Sequence, residues 1–96
     1  MKATDAMSLV EAVLAFIEGF EIVIINSEEY PHLICAVKNP AATRVLLDAE
    51  PWRLTSNPLK SIANSGDCFC LEIPGPKHLA EVMRRLCNTF PDLIVE

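Results

Sequence analysis

The chain predicts an α+β domain in which a four- to five-stranded, mostly antiparallel sheet carries two amphipathic helices on one face. Three observations lead there. Two segments, residues 9–20 and 79–90, repeat apolar side chains at helical spacing. Between and after them lie short runs of β-branched and apolar residues bounded by Pro, Gly and Asn. The 96 residues amount to one domain, 1–96, so helices and strands must share a core. Each helix has one apolar surface to cover, and a single sheet supplies the cover.

Taken in order, the run Ser8-Leu-Val-Glu11 has the form of a capping box, which starts the first helix after Ser8. Leu9, Val10, Val13, Leu14, Ile17 and Phe20 are its expected core stripe, with Glu11 and Glu18 on the polar side. Gly19 suits the left-handed position that ends a helix. Residues 22–25, Ile-Val-Ile-Ile, are β-branched without alternation, which predicts a central strand buried on both faces. A turn over 27–31 leads to a second strand over 33–37. The Asn39-Pro40 pair marks another turn before a third strand over 43–47. The connections are too short for crossovers, so these three strands predict an antiparallel meander. Glu50-Pro51 interrupts the ladder, and 52–55 reads as a short fourth strand or an extended segment.

Asn57 as N-cap, Pro58 at the first helical position and Gly66 beyond the end predict a short helix over 58–64. Residues 68–73 alternate, with Phe69, Leu71 and Ile73 on one face and Cys68, Cys70 and Glu72 on the other. Pro76 opens the second long helix, whose core stripe is Leu79, Val82, Met83, Leu86 and Phe90. Pro91 stops it, and 92–95 form a last short strand that closes a β-α-β unit. The predicted order is α-β-β-β-(β)-short α-β-α-β.

Composition narrows the function classes. The most apolar stretch, 13–25, is interrupted by Glu18, Gly19 and Glu21, so no membrane span is expected. Lys2 is the only basic residue near the start while Asp5 and Glu11 intrude, which argues against a secretory leader and for the cytoplasm. Net charge is −5, with three Lys/Arg against eight Asp/Glu in residues 1–50 and five against five thereafter. An acidic chain repels phosphate backbones, which argues against nucleic acid and leaves a basic protein as the partner the acidic half attracts. Half the residues are apolar (51%), with mean hydropathy +0.29. That is more than one small core needs, so a second buried surface, a homodimer or partner interface, is expected.

No catalytic pattern emerges. There is no Gly-x-Ser-x-Gly, His-Glu-x-x-His or glycine-rich phosphate loop, and the adjacent pair Glu28-Glu29 does not converge on one substrate. Without a leader, the four cysteines predict free structural thiols rather than disulfides. Cys68-x-Cys70 lacks the tight turn of a zinc site and the helix start of a redox motif, so neither a metal nor a cofactor is expected there. His32 and Cys35 sit three apart, which puts them on opposite faces of a regular strand.

Two groups of residues remain. Gly75, Lys77 and His78 stand where a strand enters a helix N-terminus, whose free amides favour a carboxylate or phosphate; the plain alternative is a pair of exposed side chains. Arg84 and Arg85 extend Lys77 into a basic strip, with no interleaved aromatics to stack a base. Glu28, Glu29 and Tyr30 on a turn, and Trp52 and Arg53 on an irregular segment, are the candidate protein contacts. The sequence thus predicts a small non-catalytic interaction module, of regulator, inhibitor or immunity type, that self-associates. A domain binding an anionic metabolite at Gly75–His78 is the alternative.

Overall fold

The computed structural model describes residues 1–59 and 68–96. Its elements are β1 (Lys2–Ala3), α1 (Leu9–Ile17), β2 (Ile22–Ile25), β3 (Leu33–Val37), α2 (Pro40–Asp48), β4 (Arg53–Leu54), β5 (Cys68–Glu72), α3 (Pro76–Thr89) and β6 (Ile94–Val95). The six strands form one mixed sheet in the order β4-β5-β3-β2-β1-β6, so the chain is α+β. None of the described helices is long and apolar enough to cross a membrane.

The sheet grows from its most apolar strands. Every residue of β2 and β3 is buried. They pair antiparallel with Ile22 opposite Ala36 and Ile25 opposite Leu33, as a short connection requires. β5 rather than a third meander strand takes the other side of β3, and β4 pairs with β5 at the edge. β1 and β6 add on in parallel beyond β2. β1 is anchored by Thr4, fully buried, whose hydroxyl oxygen accepts the Ile24 amide at 2.7 Å. The pairings run β5 and β6 in the same direction, so α3 carries the chain past β3, β2 and β1 to the far edge.

Two expectations are corrected. Residues 43–47 are helical, within α2, and not a strand. Asn39 sits in an extended conformation, its side chain accepts the Ala42 amide at 3.0 Å, and Pro40 occupies the first turn. These start signals outweigh the strand preference of Thr43 and Val45, because the helix buries Ala42 and Leu46, four apart, and exposes Arg44 and Asp48.

The helices also do not share a face. Ile22, Ile24, Ile34, Ala36, Leu71 and Ile73 pack with α2 and α3, through Ala42, Leu46, Val82 and Leu86. Val23, Ile25, Leu33, Cys35, Val37 and Cys70 pack on the opposite side with Ala12 of α1 and with Leu59. Strands apolar on both faces must be covered on both, and a helix pair on one side cannot do that. The expected helix over 58–64 begins as a turn at Pro58–Leu59 and otherwise lies outside the described residues.

Helix α1 starts as its capping box dictates: Ser8 Oγ accepts the Glu11 amide at 3.3 Å while Glu11 Oε1 accepts the Ser8 amide at 3.4 Å. Gly19, at φ +99°, follows its end.

Candidate functional site

The chemistry-bearing residues converge under α1, on the face that holds the strand cysteines. Cys35 of β3 lies directly opposite Cys70 of β5, with Cα atoms 4.0 Å apart, and the two form a disulfide. This corrects the expectation of free thiols at those positions. The strand register supplies the reason, because it brings together two cysteines that are 35 residues apart in the chain. Cys68, two residues before Cys70, presents its thiol to the same face, 3.8 Å from Cys70 Sγ. All three sulfurs lie within 4.8 Å of one another. A strand does not curl around an ion, but the neighbouring strand brings the third sulfur that curling would otherwise bring.

Asn57 closes the group from the turn before β5. Its Oδ1 is 3.1 Å from Cys70 Sγ and 3.8 Å from Cys68 Sγ, where it accepts from the Cys68 thiol. The carboxamide is aimed by two backbone bonds: the Leu59 amide donates to Oδ1 at 2.8 Å, and Nδ2 donates to the Cys68 carbonyl at 3.0 Å. Cys35, Cys70 and Leu59 are buried and Cys68 is half-buried. Burial pushes the Cys68 thiol above its ordinary range, and the bond to Asn57 pulls it only partly back. Neither histidine joins this cluster. The fourth cysteine, Cys87, is free and exposed on α3.

The second feature is the outer surface of α1. Ala12 and Ala15 are its buried contacts, flanked by half-buried Leu9, Val13 and Phe16. The opposite side of the helix therefore carries Val10, Leu14 and Ile17 outward, at 71%, 56% and 65% exposure. Sequence spacing alone predicts these three for the core. The small alanines draw the helix onto the sheet and turn the larger residues away. Glu11 and Glu18 border this stripe and are exposed.

Among the remaining candidates, Glu28 and Glu29 are exposed on the β2–β3 turn, while Tyr30 packs against the α1-side core. The turn is closed by the Ser27 amide donating to the Tyr30 carbonyl at 3.1 Å. It is tied to the approach of α1 by the Asn26 amide donating to the Met7 carbonyl at 3.0 Å. Trp52 belongs to the other side of the sheet, where it packs on the α2–α3 core and donates from Nε1 to the Leu47 carbonyl at 2.8 Å. Arg53 pairs with Glu72 across β4 and β5. The fold thus separates Trp52 from Tyr30 and does not unite them in one patch.

Gly75 is the N-cap of α3 in extended backbone, with no side chain bonding to the helix amides. Lys77 and His78 are exposed on the first turn. The nearby groove between α3 and the β1–β6 edge is lined by Pro76, Leu79, Met83, Cys87 and Val95, with Asp5 and Arg84, and by neither Lys77 nor His78. One carboxylate partly offsets the basic strip. Glu81 pairs with Arg84 and Arg85, and the Arg84 hydrogen bond, supported by Arg85, holds its carboxyl at about 2. Arg85 also donates to the Asp48 carbonyl at 3.2 Å, which ties α3 to the end of α2.

Compared with protein-family profiles, curated proteins and solved structures, the chain matches none.

Proposed function

We propose that this chain is a small non-catalytic protein-interaction module that docks through the outer face of α1, with a second copy of itself as its first partner. One observation carries the reading: Val10, Leu14 and Ile17 form an uncovered apolar stripe on a helix whose opposite side is already packed. Three large apolar side chains aligned at i, i+4 and i+7 are how a helix engages an apolar groove or another helix. Glu11 and Glu18 on the border, with Glu28 and Glu29 on the turn tied to the start of α1, make the rim acidic and suit a basic protein as a further partner. We infer the cytoplasm as its compartment, which the free thiols Cys68 and Cys87 suit and in which the Cys35–Cys70 pair would be held reduced.

Light scattering coupled to size exclusion tests this reading. The unaltered chain is expected as a dimer at high concentration, and Leu14→Asp as a monomer whose melting temperature equals that of the unaltered chain at dilutions where both are monomeric, since Leu14 belongs to neither core cluster. A monomer at every concentration ends the self-association reading. A dimer that survives Leu14→Asp moves the docking surface off α1.

A further inference from the structure

We propose that the reduced chain binds a zinc ion through Cys35, Cys68 and Cys70, with the Asn57 carboxamide oxygen as the fourth ligand. The argument is geometric. Four ligands around tetrahedral zinc, with Zn–S about 2.3 Å and Zn–O about 2.1 Å, stand about 3.8 Å apart sulfur to sulfur and about 3.6 Å apart sulfur to oxygen. Cys68 Sγ and Cys70 Sγ are 3.8 Å apart, and Asn57 Oδ1 lies 3.8 and 3.1 Å from them. In the disulfide form, the Cys68–Cys70 and Cys68–Asn57 distances therefore match tetrahedral edges to about 0.2 Å, while Asn57 and Cys70 are about 0.5 Å too close. Cys35, within 4.8 Å of Cys68 Sγ and bonded to Cys70 Sγ, becomes the fourth only when reduction lets the two bonded sulfurs move apart to the sulfur–sulfur edge length.

The site is built rather than incidental. The Asn57 carboxamide is oriented by the Leu59 amide and the Cys68 carbonyl, so its oxygen faces the sulfurs without side-chain rearrangement. β3 and β5 hold Cys35 and Cys70 in register, and Leu59, fully buried, closes the group. Half-buried Cys68 leaves an entry path. Three soft thiolates with one neutral oxygen suit zinc rather than magnesium or calcium, which take oxygen sets.

The chemistry balances as follows. A dithiol reductant breaks the Cys35 Sγ–Cys70 Sγ bond, two electrons and two protons pass to the two sulfurs, and the reductant leaves as its own disulfide. Zinc then displaces one proton from each of the three thiols. The ion takes over the cross-link between β3 and β5 and adds the Asn57 turn to it. In a reducing compartment it thus replaces the disulfide as the staple of the α1 face.

The test uses the full chain, reduced anaerobically and freed of reductant, titrated with cobalt(II) as the probe and then with zinc. Expected are the tetrahedral cobalt bands and thiolate-to-cobalt charge transfer, saturating at a single ion per chain and erased by zinc. The disulfide form gives none. Cys87→Ser retains the signal, Asn57→Ala weakens binding by at least the ~10-fold that losing an outer-shell partner costs, and Cys68→Ser abolishes it. The disulfide form of Cys68→Ser serves as the folding control, by its melting curve. Zinc also raises the melting temperature of the reduced chain and shields Cys35, Cys68 and Cys70, but not Cys87, from iodoacetamide, a readout that needs no variant. A reduced chain with no cobalt–thiolate band overturns the proposal. So does a band that survives Cys68→Ser, zinc that leaves all four thiols equally reactive, or a reduced chain that unfolds and stays unfolded with zinc.

Discussion

On one side of the sheet, Leu46, Val82 and Leu86 of α2 and α3 reach the strands with full-sized apolar side chains. On the other side, α1 buries Ala12 and Ala15, with Leu9, Val13 and Phe16 half-buried beside them, and the cover is completed by Leu59 and by the Cys35–Cys70 disulfide. The first face is held by area removed from water. The second adds to the half-buried Leu9, Val13 and Phe16 the close approach of a helix and a covalent link between its two central supports. The difference explains where the unused hydrophobicity goes. A helix that centres its contact on alanines, with Leu9, Val13 and Phe16 at the side, turns its remaining large residues outward, and Val10, Leu14 and Ile17 are those residues. The same thin cover leaves Cys68 partly open beside two buried sulfurs.

The contrast can be broken at both faces. Leu86→Ala removes a fully buried side chain from the α2–α3 face and is expected to cost about 2–5 kcal/mol in chemical denaturation, because the surrounding helices collapse only partly around the cavity. A cost below ~1 kcal/mol would show that this face is not held by packing. On the α1 face, Cys35→Ala with Cys70→Ala should cost about 2–4 kcal/mol by the same measurement, the chain-entropy value for a 35-residue separation being about 4. An unchanged midpoint would mean that α1 packing suffices and the staple is dispensable. Ala12→Leu sharpens the picture further: overfilling the helix–sheet contact should cost about 1–3 kcal/mol, whereas the same added methylenes on the outer face of α1 meet no packed core of their own chain. If Ala12→Leu instead raises stability, α1 stands off the sheet and the alanines are not the reason its large residues face out.

Where local chemistry sufficed, the sequence was read correctly. The Ser8–Glu11 capping box, the Gly19 stop, the doubly buried run 22–25 and the alternation over 68–73 all appear at the residues that encode them. The first loss was at residues 39–47. Asn39-Pro40 and Asn57-Pro58 are the same dipeptide, yet either a turn or a helix start is compatible with it. What settles the first pair as a helix start is that Ala42 and Leu46, four apart, find a core to enter. The second loss was the orientation of α1. Val10, Leu14 and Ile17 form as regular a stripe as Ala12 and Ala15 do, and hydropathy alone favours the larger residues. The candidate site was the least legible part, since Cys35 and Cys70 become neighbours only once β5 docks on β3, with α2 and β4 lying between them in the chain.

By itself the sequence determined the α+β class, the caps of α1 and the central strand, because each depends on residues within a turn or two of one another. The tertiary structure alone decided which face each helix covers, which alternate residues of α1 are hidden, and that three sulfurs and an amide oxygen meet. Those outcomes depend on strand order and register, which are set by how the whole apolar inventory is shared between two faces and not by any one segment.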